Sequence, residues 1–263
     1  CDSSKYPEQD SDVAAVRSIV AQIDGFARVE ALYHETNKGL AQSIIYGVSK
    51  LCREYGRVIV LEDDLVLSAF FLRYMNEALD FYADDKKVMQ ISGFQFPIPS
   101  RDNASGLLPY TTSWGWATWE RAWENFDPSF CDVSELNREK DLRYRFDFDG
   151  TYPAFKMLKR LHAGAVSSWA IRWYHIVFSN QGLVLYPPVS FVNNLGEGEA
   201  ATNPSVWNSQ VAMSLAGDIS VKHGSNESVD EHMRISVVKH LKSERRIFRK
   251  LLGALKNSLW RKK

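Results

Sequence analysis

The stretch VIVLEDDLVLSAFF, residues 58–71, determines the predicted fold. Four aliphatic residues are followed directly by three acids, Glu62, Asp63 and Asp64, and a helical pattern begins at Ser68. This order is typical of a buried parallel strand with carboxylates at its C-terminal end. Open α/β sheets bind ligands at the carboxyl ends of their strands, where one or two carboxylates and substrate phosphates can hold a divalent cation. The stretch therefore predicts a metal and a phosphate-bearing ligand, with a solvated acidic turn as the alternative.

The composition is that of an ordinary globular chain. Its 263 residues are 45% hydrophobic, enough to bury a sizeable core. The 32 basic and 32 acidic residues balance, so the net charge gives no argument for nucleic acid as a partner. Three cysteines without metal-ligand spacing predict a reducing compartment. No apolar run is long enough to span a membrane and no signal peptide is recognisable, so we expect a cytoplasmic protein.

Apolar periodicity predicts alternating helices and strands in the first 109 residues. We expect a helix over 10–24, a strand over 28–33, the strand that ends in the three acids, and a strand over 88–93. A second helix follows the Asn37-Lys38-Gly39 turn and should bury Leu40, Ile44, Val48, Leu51 and Cys52. A third helix, capped by Ser68, should bury Phe70, Phe71, Tyr74, Met75, Ala78 and Leu79. This alternation predicts a doubly wound α/β layer.

The second half of the chain is less regular. The stretch YTTSWGWATWERAW, residues 110–123, concentrates aromatic residues that fit either core packing or a groove stacking on sugar rings. Helical patterns cover 132–163 and 169–178, a short strand covers 183–186, and 191–203 is predicted to be a polar loop. Residues 237–263 form a basic amphipathic pattern, which indicates either a helix on an anionic membrane surface or a helix docked on its own domain.

Six blocks of this sequence together resemble a bacterial family of nucleotide-sugar glycosyltransferases with the GT-A fold, distantly similar to the eukaryotic N-acetylglucosaminyltransferase I. They are NKGLAQSIIYGV, VIVLEDDLVLSAFFLRYMNEAL, VMQISGF, SWGWATWERAW, SWAIRW and VNNLG, within residues 2–203. The resemblance implies a Rossmann-like α/β fold with a mostly parallel central sheet flanked by helices. It divides the chain into a GT-A domain over 1–235, with a nucleotide-binding half (1–109) and an acceptor half (110–235), and a C-terminal amphipathic helix over 236–263.

The same resemblance implies the activity and its partners. Such an enzyme transfers a hexosyl or N-acetylhexosaminyl group from a nucleotide-diphosphate sugar, UDP-sugars being favoured, to a hydroxyl of a glycan or lipid-linked glycan. It uses Mn²⁺ or Mg²⁺ and serves surface-polysaccharide biosynthesis. The basic C-terminal helix would then hold this protein on the inner face of the cell membrane.

Donor-site residues follow from the resemblance position by position. Asp2 is expected to face the nucleobase, and Asn37, Lys38 and Gly39 to lie near the ribose or phosphates. Glu62, Asp63 and Asp64 stand for the family's DXD motif, with Asp64 as the metal ligand and Asp63 facing the ribose or donor sugar. Gly115 and Trp116 match the loop that approaches the donor sugar and acceptor. The first strand of the fold would lie before residue 1.

Two positions depart from the family's pattern. Ala170 stands where many members carry the Asp that acts as general base, and Asn203 stands where a His is common. An inverting transfer needs a base beside the attacking hydroxyl. The replacement candidates are Glu197 and Glu199, then Asp147 and Asp149. These departures leave open a degenerate member that binds or scaffolds glycans. A nucleotidyltransferase is less favoured because no Gly-rich phosphate loop follows a first strand.

Overall fold

The computed structural model describes residues 1–100, 102–129, 132–195, 215–221 and 228–260, with side chains as far as residue 246. The α-helices are α1 (Asp10–Val20), α2 (Gly39–Tyr55), α3 (Phe71–Phe81), α4 (Glu120–Trp123), α5 (Ser134–Arg138), α6 (Lys140–Phe146), α7 (Ala154–His162), α8 (Trp169–Ser179) and α9 (Glu231–Trp260). The strands are β1 (Arg57–Val60), β2 (Leu65–Leu67), β3 (Val88–Ser92), β4 (Gly106–Leu108), β5 (Trp116–Trp119), β6 (Leu183–Tyr186) and β7 (Val192–Asn194).

The central sheet is mixed, in the order β1-β5-β3-β6-β4. The fold class is α/β as expected, but the expected mostly parallel sheet is wrong: β3–β6 is the parallel pair, and the other three neighbouring pairs are antiparallel. Two of these three pairs arise from β5, which inserts between β1 and β3 so that Ala117 pairs with both Ile59 and Ile91. The third is the pairing of β4 with β6. All four residues of β5 are buried, which removes the alternation that marks a strand in the sequence.

Strands β1, β3 and β6 nevertheless point in the same direction, because β1 and β3 are each antiparallel to the β5 between them and β6 is parallel to β3. Their carboxyl ends therefore meet at one edge of the sheet. A second, two-stranded sheet begins at this edge, where β2 pairs with β7 immediately after the acidic residues. The acidic run thus lies at the junction of the two sheets.

Packing at this edge is close around Phe71, the first residue of α3. The N–H of Gly93 donates to the carbonyl oxygen of Gly115 over 2.7 Å, and a Cβ on Gly93 would lie 2.4 Å from the Phe71 ring. The predicted buried stripe of α3 is confirmed from Phe71 to Leu79. The helix begins later than predicted: the Ser68 hydroxyl accepts from the N–H of Phe70, and the first helical residue is Phe71.

The first 38 residues pack differently from this core. Helix α1 forms as predicted but buries no residue, and Val16 and Ile19 on its expected inner face are 50% and 66% exposed. The predicted strand over 28–33 does not form. The segment is tied down by Cys1, whose amino group donates to the Leu32 carbonyl and whose own carbonyl accepts from His34. In α2, Val48 and Cys52 are buried as predicted, whereas Leu40 is 45% exposed.

The C-terminal helix α9 begins at Glu231, so the predicted domain boundary at 235/236 falls inside a continuous helix about 45 Å long. Its first turns dock on the domain through Met233, Val237 and Leu241, all buried. The apolar residues beyond 246 that suggested a membrane surface lie outside the side chains described here. Across the described ranges, no helix is long and apolar enough to cross a membrane.

Candidate functional site

The acidic run lies in the turn between β1 and β2, and β7 holds its last member. The N–H of Leu195 donates to the carbonyl oxygen of Asp64 over 2.8 Å, and the side-chain amide of Asn194 donates to Asp64 Oδ2 over 3.2 Å. The register that pairs Leu65 with Asn194 explains both bonds, because it places the end of β7 beside Asp64. Both the backbone and one carboxylate oxygen of Asp64 are therefore fixed.

The other carboxylate oxygen, Asp64 Oδ1, is buried and has no hydrogen-bond partner among the described residues. A buried carboxylate oxygen without a partner is costly, and native structures rarely retain one without a reason. A cation placed against Oδ1 would remove this cost. The chemistry of the atom, a hard anionic oxygen, fits a divalent cation such as Mn²⁺ or Mg²⁺.

Glu62 and Asp63, the two acids before Asp64, differ in burial. Burial, and after it the charges of Asp64 and Asp63, raises the pKa of Glu62 to about 7. Asp63 is exposed. A cation beside this turn would offset the repulsion that Asp64 and Asp63 exert on Glu62.

The described part of the chain contains no group of three or more His, Cys, Asp or Glu side chains with the geometry of a metal site. The three acids of the run thus do not converge on one point. A cation held by a single carboxylate needs its remaining ligands from phosphates and water, which is usual for Mg²⁺ at nucleotide sites. The arrangement fits a cation that arrives with a phosphate-bearing ligand.

Gly115 borders the same edge, but the Trp116 side chain does not face it. Gly115 has a φ of 60°, and a Cβ there would lie 2.9 Å from Val192 of β7. Trp116 is completely buried and stacks on Trp169 at 5.1 Å between ring centroids. The Trp116 side chain is therefore part of the core, and the approach of the Gly115–Trp116 loop to a donor sugar stays a prediction.

The aromatic stretch is mainly core. The rings of Tyr110, Trp116, Trp119 and Trp123 are all buried, so core packing is the alternative that holds for these four. Trp114 is the partly exposed member of the stretch, and it packs edge-on against Phe94 with 4.8 Å between the ring centroids. It directly precedes Gly115, which borders the acidic edge.

Asp2 lies beside Asn37, Lys38 and Gly39, the residues that the resemblance assigns with it to the nucleotide, and both oxygens of its carboxylate are hydrogen-bonded within the fold. One oxygen accepts from the backbone N–H of Lys38 at 2.8 Å and the other from Gly39 at 2.7 Å, while Asn37 donates to the carbonyl of Ser3. Partial burial raises the pKa of Asp2, but the hydrogen bonds from Lys38, Ser3 and Gly39 lower it, and the pKa ends below its ordinary value. Asp2 therefore caps the N-terminus of α2.

The structure describes only two of the four candidate general bases. Glu197, Glu199 and Asn203 lie outside the described residues, and Ala170 is a partly buried residue of α8. The two less favoured acids have structural partners: Asp149 forms an ion pair with Arg234 of α9, and Asp147 accepts from the N–H of Phe155 at 2.7 Å. These contacts disfavour both as bases.

Sequence reasoning missed Asn194, the residue that binds the side chain of Asp64. It belongs to a stretch predicted to be a polar loop, and the strand pairing that brings it to Asp64 spans 130 residues.

The sequence matches no known protein-family model. No curated protein is significantly similar to it.

Proposed function

We propose that this protein is a metal-dependent glycosyltransferase of the GT-A, Rossmann-like class. It would transfer a sugar from a nucleotide-diphosphate sugar to a hydroxyl of a glycan or lipid-linked glycan. The observation that carries the proposal is Oδ1 of Asp64, which is buried and has no partner among the described residues. It lies at the edge where the carboxyl ends of β1, β3 and β6 meet. Ligands of α/β sheets bind at such edges.

The described residues support distinct roles in this reaction. Asp64 holds the cation through Oδ1, and the exposed Asp63 lies beside it on the ligand side of the turn. A bound Mn²⁺ or Mg²⁺ supplies positive charge for the diphosphate that leaves when the sugar–phosphate bond breaks. The hydrogen bond from the N–H of Gly93 to the carbonyl oxygen of Gly115 joins β3 to the start of β5 at the same edge. Glu197 or Glu199 as general base stays a prediction from the sequence.

Calorimetric titration of UDP and then GDP, each with and without Mn²⁺, tests the donor site. We expect Mn²⁺-dependent binding of one nucleotide to the wild type and its loss in Asp64→Ala. Asp2→Ala is the matched control, because it removes a carboxylate that is already satisfied by the backbone. Wild-type protein that binds and hydrolyses no nucleotide sugar with Mn²⁺ present would refute the proposal.

The second candidate function is a non-catalytic member of the same class that binds or scaffolds glycans. The specific observation in its favour is Ala170, which has no ionisable group and packs partly buried against the core. Glycan binding that is unchanged in Asp64→Ala, with no turnover by the wild type, would favour this candidate over the enzyme.

The location proposed with this function is the cytoplasmic face of the cell membrane, with the distal part of α9 on anionic lipid. Its support is the basic amphipathic sequence after residue 246, in a helix whose first turns are anchored to the domain. Co-sedimentation with vesicles that contain phosphatidylserine, but not with vesicles of neutral lipid, is the expected result. Equal sedimentation with both would contradict the proposed location.

A further inference from the structure

We infer that Asn194 is a positioning residue that orients the Asp64 carboxylate toward the cation, an inference that rests on the proposed function. Two adjacent residues hold Asp64: Leu195 binds its backbone carbonyl and Asn194 binds Oδ2. Oδ1 is the oxygen left buried and without a described partner. The bond from Asn194 thus determines which oxygen of Asp64 is presented to a ligand.

The chemistry of an amide suits this task. The side-chain nitrogen of Asn donates a hydrogen bond and carries no charge, so it holds the Asp64 carboxylate without competing with a cation for it. A Lys or Arg at position 194 would neutralise the carboxylate and compete with the metal. Hydrogen-bonded partners of metal ligands fix the orientation of those ligands, and their loss typically weakens metal binding 10- to 100-fold.

Asn194 is itself held rigidly by the strand that carries it. Two residues before it, Val192 is fully buried and touches the Gly115 region, and Phe191 stacks on Tyr74 at 4.6 Å between ring centroids. Pairing of Leu67 with Val192 and of Leu65 with Asn194 then fixes the register. A positioning group on a packed strand is more precise than one on a free loop.

The test is Mn²⁺ affinity, measured by electron paramagnetic resonance of free Mn²⁺ in the presence of saturating UDP. Asn194→Leu keeps the shape of the side chain and removes its donor, so Mn²⁺ should bind about 10- to 100-fold more weakly. Asn194→Gln retains an amide donor and should recover most of the affinity. The matched control is Asn193→Leu, because the neighbouring residue of β7 projects to the opposite face of the strand and should leave Mn²⁺ binding unchanged.

A double variant separates positioning from packing. If Asn194 acts through Asp64, adding Asn194→Leu to Asp64→Ala causes no further loss of Mn²⁺ binding. UDP binding without Mn²⁺ should be the same in Asn194→Leu and the wild type. Equal weakening in the Leu and Gln variants, accompanied by equal losses of melting temperature, would show a packing role and overturn the inference.

The failure of this inference differs from the failure of the proposed function. If Asn194→Leu binds Mn²⁺ as tightly as the wild type while Asp64→Ala loses Mn²⁺ binding, the role of Asn194 is overturned. That result would still support the metal site at Asp64. A wild-type protein that binds no Mn²⁺ with UDP or GDP would overturn both.

Discussion

Two carboxylates of this protein, Asp2 and Asp64, have opposite hydrogen-bond environments. Both oxygens of Asp2 accept from backbone N–H groups at the start of α2, so the side chain has completed its bonding within the fold. Asp64 is held by Asn194 through one oxygen, and its other oxygen is buried without a described partner. The bonding of Asp2 is complete within the fold, whereas the unsatisfied oxygen of Asp64 is available to a ligand.

The surroundings of the two residues strengthen this contrast. Asp2 belongs to the first 38 residues, where α1 buries none of its side chains. Asp64 lies at the junction of two sheets, behind which Phe71 and Val192 are buried. The family resemblance implied a nucleobase contact for Asp2 and a metal contact for Asp64. The hydrogen bonds of the structure favour a stabilising role for Asp2 and leave the metal contact of Asp64 as a prediction.

The largest expected effect is that of Asp64→Asn on metal binding. Removing the charge that faces the cation should reduce Mn²⁺-dependent nucleotide binding by more than about 100-fold, while the melting temperature stays the same or rises because an unsatisfied buried charge is lost. Calorimetry and thermal unfolding measure the two quantities. A melting temperature that falls with the metal affinity would show that the Asp64 carboxylate is structural, like that of Asp2.

Gly115→Ala should have the next largest effect, this time on stability. The new Cβ meets Val192 at 2.9 Å and Phe71 at 3.0 Å at a φ of +60°, so we expect a loss of about 3 kcal/mol from crowding and backbone strain. Gly25→Ala is the matched control, since its φ is +80° but nothing lies within 4 Å, and it should cost about 1 kcal/mol. Urea unfolding gives both values, and equal costs would contradict the close packing of β7 on this edge.

Asp2→Ala should destabilise the protein by about 1 kcal/mol through loss of the cap on α2. Mn²⁺ affinity should stay at the wild-type value, because the carboxylate is bound to the backbone of Lys38 and Gly39. Urea unfolding and metal titration of the same sample measure the two effects. Loss of Mn²⁺-dependent binding with unchanged stability would reverse the assignment of the two carboxylates.

The smallest expected effect is the acid sensitivity that Asp2 contributes. Its pKa is lowered in the folded protein from an ordinary value of 3.8, so the unfolded chain binds more protons than the folded one as the pH falls below that value. The stabilisation from Asp2 is therefore complete above pH 3.8 and is lost as the pH drops through the folded pKa. Urea unfolding of the wild type and of Asp2→Asn measures the effect. The difference in their free energies of unfolding should shrink in this acidic window, and a difference that does not change with pH would exclude an ionic cap.

The elements that local sequence could predict are those with one clear apolar face or an uninterrupted apolar run. Strands β1, β3 and β6 and helices α3 and α8 have such patterns, and all were predicted within a few residues. Strand β5 was missed because all of its positions are buried and its aromatic residues also fit a groove. Strands β4 and β7 are three residues long and exist only through pairing with distant segments.

Prediction of the candidate site was limited in the same way. Three adjacent acids after a buried strand identify the site in the sequence, but nothing local shows that Asp64 rather than Glu62 has the unsatisfied oxygen. The occupied state of Asp2 depends on backbone N–H groups of Lys38 and Gly39, 36 and 37 residues away. Contacts of this range follow from the tertiary structure and not from composition or periodicity.

The antiparallel strand between β1 and β3 also constrains the order in which the chain can assemble during synthesis. Strand β1 can pair in the sheet only after residues 116–119 of β5 have been synthesised, and β4 only after residues 183–186 of β6. Such long-range pairing slows folding. Asn194 follows all five strands of the central sheet in the chain, so its contact with Asp64 becomes possible only after those strands have been synthesised.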